Sequence, residues 1–462
     1  MGLMSSVLES FAVLKQNSET WLEFSAGQNT ETNLARFTSG GHFEFPLQVL
    51  RLAKLWIVGT RLRRVDASSG EVLFFCSTQN QFSVLEPLVT SDPEYSYTFV
   101  VSPTFRAPKI GATLLDRKKA TVNLWGFFQV LVLTCIRVPV LLFALFNKNP
   151  LLVRRRFMSF CASYYWLVCH QKLLEEVRPK LVVLANDHNP ECRTLIELCK
   201  RRSIETAYVP HATVSTRFHA LEFNHSFLDG QNALDIYKLC EQRRSVDSPR
   251  VKNRRCYIVG GLRRLQSAVA NPEAVGDALG LAVKGTDEIG VLSAVLHQLD
   301  GFGQVILRPH PNLSGKYLTR LARFAANEGL LMSDPSIENA GAFLGGLKYL
   351  ISGNSTLLLE AASLGKVPIY LNDMSGGVDD YYGFVRRGVC LSCREVGDLR
   401  ALLVLVSKSG YEPSRTGLRY FIGSFGEFFE GKEPSMVNNL ILNILNEDRG
   451  SVGRSPIVMF DL

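Results

Sequence analysis

The chain has 462 residues, 46% hydrophobic and 20% charged, with 36 glycines and 19 prolines in no periodic triplet; this excludes fibrous and disordered classes and suggests two or more globular domains. Its net charge of +8 is unevenly shared: residues 1–255 hold 32 Lys and Arg against 22 Asp and Glu, whereas 256–462 hold 19 against 21. The basic runs of the first half, Arg117-Lys118-Lys119 and Arg154-Arg155-Arg156 among them, suit an anionic surface or an acidic substrate. They lack the interleaved aromatics of a nucleic-acid reader, so no nucleic-acid partner is expected.

The start, MGLMSSVLESFAVLKQ, has neither the basic opening nor the continuous apolar core of a signal peptide. Ten cysteines include one close pair, Cys390 and Cys393, with no second pair to complete a zinc site. Together these features lead us to expect a cytosolic chain with reduced thiols, and since no Asp-x-Asp pair falls at an expected strand end, neither a metal nor another cofactor is expected.

Over residues 46–63 the spacing of Leu47, Leu50, Leu55 and Val58 predicts a helix. From Glu71 onwards short apolar runs ended by turn-formers, VLFFCST, TFVVSP, KLVVLAND and ETAYVPHA, alternate with helical segments, the pattern of a parallel sheet covered on both faces. Between them lies VNLWGFFQVLVLTCIRVPVLLFALF, residues 122–146, which has the length of a membrane span, about 20 apolar residues. Gln129, Arg137 and Pro139 argue against a span, and the basic flanks favour helices lying in an anionic interface.

A charged stretch at 245–255 precedes CYIVGG, where we expect a second domain to begin. There LGLAVKG, QVILRPHP, LKYLISGNS and KVPIYLND read as strands, with helices over 291–299, 318–327 and 356–364. The fold class expected is α/β, two doubly wound Rossmann-like domains facing a cleft, with an apolar helical insertion in the first.

Two motifs of the second domain fall at expected strand ends. Arg308-Pro309-His310-Pro311 follows one strand, and Gly353-Asn354-Ser355-Thr356 joins another to a helix start. Open parallel sheets bind ligands at such ends, and a helix start with free N–H groups and two hydroxyls suits phosphate. Arg308 and His310 would add charge-assisted bonds, Gly353 would allow backbone conformations closed to other residues, and Glu360, one turn into the helix, would reach ribose hydroxyls. The alternative for Asn354, Ser355 and Thr356 is a plain helix cap.

The runs LGLAVKGTDEIGVLSAVL, QVILRPHPN, LKYLISGNSTLLLEAASLGKVPIY and DYYGFVRRG resemble the C-terminal domain of GT-B glycosyltransferases of bacterial surface polysaccharides. That group has His-Pro and Ser/Thr donor motifs and includes polysialyltransferases, other CMP-sugar transferases and, more distantly, CDP-glycerol glycerophosphotransferases. The resemblance covers residues 180–390, weakens over 65–120 and is absent before 60. It implies donor-phosphate contacts from His310, Ser355 and Thr356, a ribose contact from Glu360, and an acceptor and a base held by the first domain.

The matching strand ends there are Ala185-Asn186-Asp187-His188 and Pro210-His211-Ala212-Thr213. An attacking hydroxyl must lose its proton, so a carboxylate or an imidazole is needed. Asp187 is the first candidate, with a helix cap at Pro190 as its alternative, and His211 the second, its role qualified by Ala212 where many relatives have glycine. Asp379-Asp380 is expected to cap the turn that follows it.

The expectation is thus a helical extension over 1–60, an acceptor domain over 61–250 with interface helices over about 118–156, and a donor domain over 251–462. The activity expected is sugar transfer from a nucleotide-activated, CMP-linked donor to a lipid-linked glycan of capsule, lipopolysaccharide or O-antigen, on the inner face of the cytoplasmic membrane. Its rivals are CDP-polyol phosphate transfer by a similar site and a non-catalytic role in a polysaccharide assembly complex.

Overall fold

A computed structural model describes residues 44–60, 70–105, 117–148, 150–187, 189–216, 218, 220–243, 254–262, 277–311, 313, 315–428, 430–447 and 459–461. The expected strands are present, sorted into two sheets. The first is made by β1 (Val72–Cys76), β2 (Tyr97–Val101), β3 (Arg117–Lys119), β4 (Leu181–Leu184), β5 (Glu205–Tyr208), β6 (His225–Leu228) and β7 (Arg255–Ile258), all parallel. Antiparallel β14 (Met459–Asp461) adds an edge, giving the order β14-β7-β6-β5-β4-β1-β2-β3. Its helices are α1 (Glu44–Val58), α2 (Gln79–Thr90), α3 (Leu124–Lys148), α4 (Pro150–Val177), α5 (Pro190–Arg201) and α6 (Gln231–Gln242).

The second sheet contains β8 (Ala278–Val283), β9 (Val305–Pro309), β10 (Leu331–Met332), β11 (Leu347–Ser352), β12 (Val367–Leu371) and β13 (Leu391–Cys393), all parallel, in the order β10-β9-β8-β11-β12-β13. Helices α7 (Ile289–Leu299), α8 (Gly315–Asn327), α9 (Ala340–Gly345), α10 (Leu357–Ser363), α11 (Leu399–Ser409) and α12 (Arg415–Phe421) accompany it. The last helix, α13 (Glu433–Glu447), crosses back to the first sheet.

Both faces of each sheet are covered, as continuous apolar strands require. In β1, Leu73 and Phe75 enter one core with α4, α5 and α6, while Val72, Phe74 and Cys76 enter the other with α2 and α13. From α13, Val437, Leu440, Ile441, Ile444 and Leu445 recur at helical spacing and are buried there, each side chain contributing about 1.5–3 kcal/mol. Asn438 fastens the same helix, accepting from the Tyr95 hydroxyl at 2.6 Å and donating to the Leu88 carbonyl at 2.7 Å.

Three expectations are corrected. CYIVGG opens no second domain: β7 is a parallel strand of the first sheet, so the crossing lies after Ile258 and the C-terminal segment belongs to the first domain. Residues 44–58 form no separate extension, because Leu55 is buried in the first domain's core. The interface helices expected over about 118–156 have other bounds: α3 runs unbroken through Pro139 to Lys148, and α4 continues to Val177, its residues 161–169 largely core. Among the described residues no helix is long and apolar enough to cross a membrane.

Where the chain returns from α12 towards α13, backbone meets backbone. The Gly423 amide donates to the Asp229 carbonyl at 2.7 Å, and a Cβ on Gly230 would stand 2.6 Å from the Phe421 carbonyl carbon and oxygen. The carboxyl ends of β6 and β7 therefore lie against the segment that joins the two domains.

Candidate functional site

Strand order places the ligand crevices. In the second sheet the chain builds outward from β8 through β9 to β10, then restarts at β11 on the other flank of β8. Loops leaving β8 and β11 diverge, opening a crevice at their carboxyl ends. In the first sheet the same reversal falls between β1 and β4.

The second crevice is bordered by residues 284–288 and 353–356, with His310 one strand away. His310 ends β9, its amide donating to the Val283 carbonyl at 2.8 Å, and its imidazole is exposed. Desolvation at the strand end, and then the Lys284 charge, hold its pKa below the ordinary histidine value. Pro311 is exposed in the turn that follows, closed by the Leu313 amide on the His310 carbonyl at 2.8 Å.

His310 and the Gly353-Thr356 turn do not follow neighbouring strands. The central strand β8 lies between theirs, and Lys284 stands at its end. Lys284 is half-buried, and desolvation lowers its pKa against the opposing pull of Asp287. Asp287 is itself buried, one carboxylate oxygen accepting the Lys284 amide at 2.7 Å, which folds the loop back and fixes the lysine backbone. Nothing in the sequence singles out Lys284, a lone lysine after an apolar run; only the strand order reveals its central place.

The Gly353-Asn354-Ser355-Thr356 turn divides its work. Gly353 has no left-handed backbone; glycine is required because a Cβ would stand 1.8 Å from the Met374 carbonyl oxygen. Asn354 holds the loop over 375–381, its amide donating to the Ser375 and Val378 carbonyls at 2.8 and 2.6 Å while its oxygen accepts the Tyr381 amide at 3.0 Å. These two residues shape the turn. Ser355 Oγ accepts the Leu357 amide at 3.3 Å, and Thr356 is the helix cap residue but makes no side-chain capping bond; both are half-buried at the crevice.

Arg308 is corrected as well. It is 6% exposed, and its guanidinium bonds Ser333 Oγ at 2.5 Å and the Glu338 carbonyl at 3.0 Å while lying 4.9 Å from the Phe343 ring centroid. A fork committed to these partners braces the sheet edge and does not hold a donor phosphate. Glu360, half-buried in the first turn of α10, is near enough for its charge to act on Arg308.

At the first crevice the two candidate bases separate. Asp187 is 0% exposed. It faces into the domain, where burial first and the Asp187 charge second push the Tyr208 hydroxyl well above its ordinary pKa. Nor does it cap α5: Asn189 occupies that position, its amide bonded to Asn186 Oδ1 at 3.0 Å. His188 lies outside the described residues.

His211, half-buried after β5, bonds through Nδ1 to the Ala185 carbonyl at the end of β4. A carbonyl can only accept, so Nδ1 carries the proton, and this bond fixes the orientation of the ring. On the β1 side, Ser77 and Thr78 lead into α2, with the buried Gln81 accepting the Ser77 amide at 2.8 Å. The Thr78-x-x-Gln81 pattern of a helix start could have drawn attention to this loop.

Asp380 behaves as the expected cap, its carboxylate accepting the Val385 and Arg386 amides at 3.0 and 2.9 Å. Among the described residues no group of three or more His, Cys, Asp or Glu gathers as a metal site.

No protein family matches the chain, and no curated protein is recognisably similar in sequence. Solved structures do match. A UDP-GlcNAc 2-epimerase from Methanocaldococcus jannaschii superposes with a TM-score of 0.53 at 12% identity, over 80% of this chain and 99% of that one. The S. aureus MnaA–UDP co-structure gives 0.51 at 11%, over 83% and 98%. The wall teichoic acid polymerase TagF with CDPG gives 0.50 at 12%, over 90% and 98%. At such identities the likeness shows the fold, the two-domain GT-B arrangement.

Proposed function

We propose that this protein is a glycosyltransferase that moves a sugar from a nucleotide-activated donor, CMP-linked on the resemblance of its motifs, to a lipid-linked glycan of the cell surface such as capsule, lipopolysaccharide or O-antigen. One observation carries the reading. Three neighbouring strands of the second sheet, β9, β8 and β11, are followed directly by His310, Lys284 and the turn with Ser355 and Thr356, and the Lys284 charge acts on His310; nitrogen donors and hydroxyls of this kind suit phosphate. Solved relatives in fold that carry UDP or CDPG support a nucleotide there.

In the reaction the acceptor oxygen attacks the anomeric carbon, the bond from that carbon to the donor phosphate oxygen breaks, and the nucleotide leaves with the electron pair. Lys284 and His310 would stabilise the charge gathering on the leaving phosphate. His211 Nε2 would take the acceptor proton, its ring oriented by the Ala185 carbonyl. Asp187, shielded within the domain, is assigned no role in proton transfer.

The experiment is a thermal-shift screen of CMP-, CDP-, UDP-, GDP- and TDP-linked compounds, in which a ligand at 100 times its Kd stabilises by about 2.7 kcal/mol. Product analysis follows with the donor that binds. Sugar joined to acceptor supports the proposal; added phosphorus would assign CDP-polyol transfer, inversion of a sugar stereocentre in the donor without transfer would assign an epimerase, and failure of every nucleotide to bind would overturn the site.

A further inference from the structure

The first domain exposes an apolar face that neither sheet nor crevice uses. On α3, Trp125, Phe128, Val132 and Ile136 are 64%, 51%, 56% and 56% exposed, and their spacing sets them on one side of the helix. On α1, Leu50 and Ile57 are 65% and 72% exposed. The two helices are joined. The Val122 amide donates to the Gly59 carbonyl at 2.8 Å, and the Trp56 and Phe127 rings meet edge to face with centroids 6.3 Å apart.

Beneath them the support is tight: the Tyr165 hydroxyl of α4 contacts both the Gly59 and the Ala120 carbonyl oxygens at 3.1 Å, and a Cβ on Gly59 would stand 2.1 Å from it. The exposed side chains thus sit on a braced platform. Patches of this kind mark interaction sites on soluble surfaces.

Charge identifies the partner. Residues 45–65 contain five Lys and Arg and no Asp or Glu, and residues 117–174 contain nine and none. In a chain with 43 acidic residues, 58 consecutive positions without one is a marked bias, and the run takes in all of α3, which carries the apolar stripe. A protein groove would take the apolar side chains without needing the cations, and a nucleic acid would take the cations without the apolar side chains. An anionic phospholipid surface takes both.

We propose that α1 and α3 together form a docking face that seats the first domain on an anionic bilayer, with the Trp125-Phe128-Val132-Ile136 stripe entering the boundary between headgroups and acyl chains. The helices lie along the surface, consistent with the lack of any helix able to cross among the described residues. The inference deepens the reading of a lipid-linked acceptor, on which its functional meaning rests, and adds α1, which the sequence did not connect with the membrane. A tryptophan at one end of the stripe suits the headgroup level.

The test uses the full chain and vesicles of phosphatidylcholine with or without phosphatidylglycerol. Co-sedimentation with the anionic vesicles alone, weakened by salt, is expected, and the pair Ile57→Asp with Phe128→Asp should lower binding by at least about tenfold. Bromine on the lipid acyl chains should quench Trp125, identified as the emission lost in Trp125→Phe, a measurement that stands even if the aspartate pair fails to fold. Unchanged binding by the folded aspartate pair, equal binding to neutral vesicles, no quenching of Trp125, or a dimer that the same substitutions dissolve would each overturn the proposal. Nucleotide affinity without vesicles separates the two readings: vesicle binding in a chain that binds no nucleotide would support the docking face and overturn the transferase.

Discussion

At the crevice of the six-stranded sheet, Lys284 and His310 are only partly removed from water, and the pKa of each is held below its ordinary value. At the equivalent crevice of the eight-stranded sheet, Asp187 and Gln81 are fully buried, and His211 is half-buried with its Nδ1 on the Ala185 carbonyl. The same reversal of strand order has been furnished in opposite ways. A crevice that sets a lysine and a histidine beside two hydroxyls is suited to bind an anion; one that hides its carboxylate and holds an imidazole at a strand end is suited to accept a proton from an uncharged hydroxyl.

The comparison is most sharply tested at His211. His211→Ala should lower kcat by about 10²–10⁴-fold with nucleotide affinity unchanged, because the base acts in the transition state and the nucleotide is held by the other sheet. Steady-state kinetics with calorimetric binding decides it; normal turnover would break the division of labour. Next in size is Lys284→Met, which should weaken nucleotide binding by about 1.5–3 kcal/mol, close to tenfold to a hundredfold, while the melting temperature stays near that of the parent. Calorimetry against CMP and against cytidine checks that the loss belongs to the phosphate.

Asp187→Asn should act the other way, costing about 1–3 kcal/mol in urea unfolding with little change in kcat per folded molecule, since a buried polar contact is altered and no reacting group is removed. A hundredfold fall in kcat at unchanged stability would return the base to Asp187. The smallest effect is in pH dependence. His310 is neutral above its lowered pKa and cationic below it, so nucleotide affinity should strengthen as pH falls below the ordinary histidine value near 6.5, by no more than about tenfold for each pH step of one, since a single proton is taken up. His310→Gln should flatten that slope in a binding titration across pH.

Strands, helices and the strand-end positions of both motifs are legible because each is written in contiguous residues: apolar runs bounded by turn-formers, and His310 and Ser355-Thr356 at their ends. What escaped is decided across long separations. CYIV reads as a buried strand in either sheet, and only its pairing with β6 assigns it. Arg308 reads as a free cation until Glu338, 30 residues on, occupies it. Asp187 was placed at a strand end correctly, but a loop sequence does not tell which way its carboxylate turns. Lys284 has no local signature, and its importance follows from β8 being the strand on which the order reverses.

The return of α13 to the first sheet also has a consequence for how the protein is made. Tyr95 and Asn438, bonded across that junction, are 343 positions apart. At synthesis rates of about 5–20 residues per second, the face of the first sheet that holds Phe74, Phe82 and Phe99 waits on the order of half a minute for its last cover, while the residues of the second sheet are all made in the interval. The second domain can therefore finish on the ribosome before the first, and the nascent first domain exposes aromatic surface for that time. A nascent chain stalled before Glu433 would present this surface to chaperones, and one released after Glu447 would not.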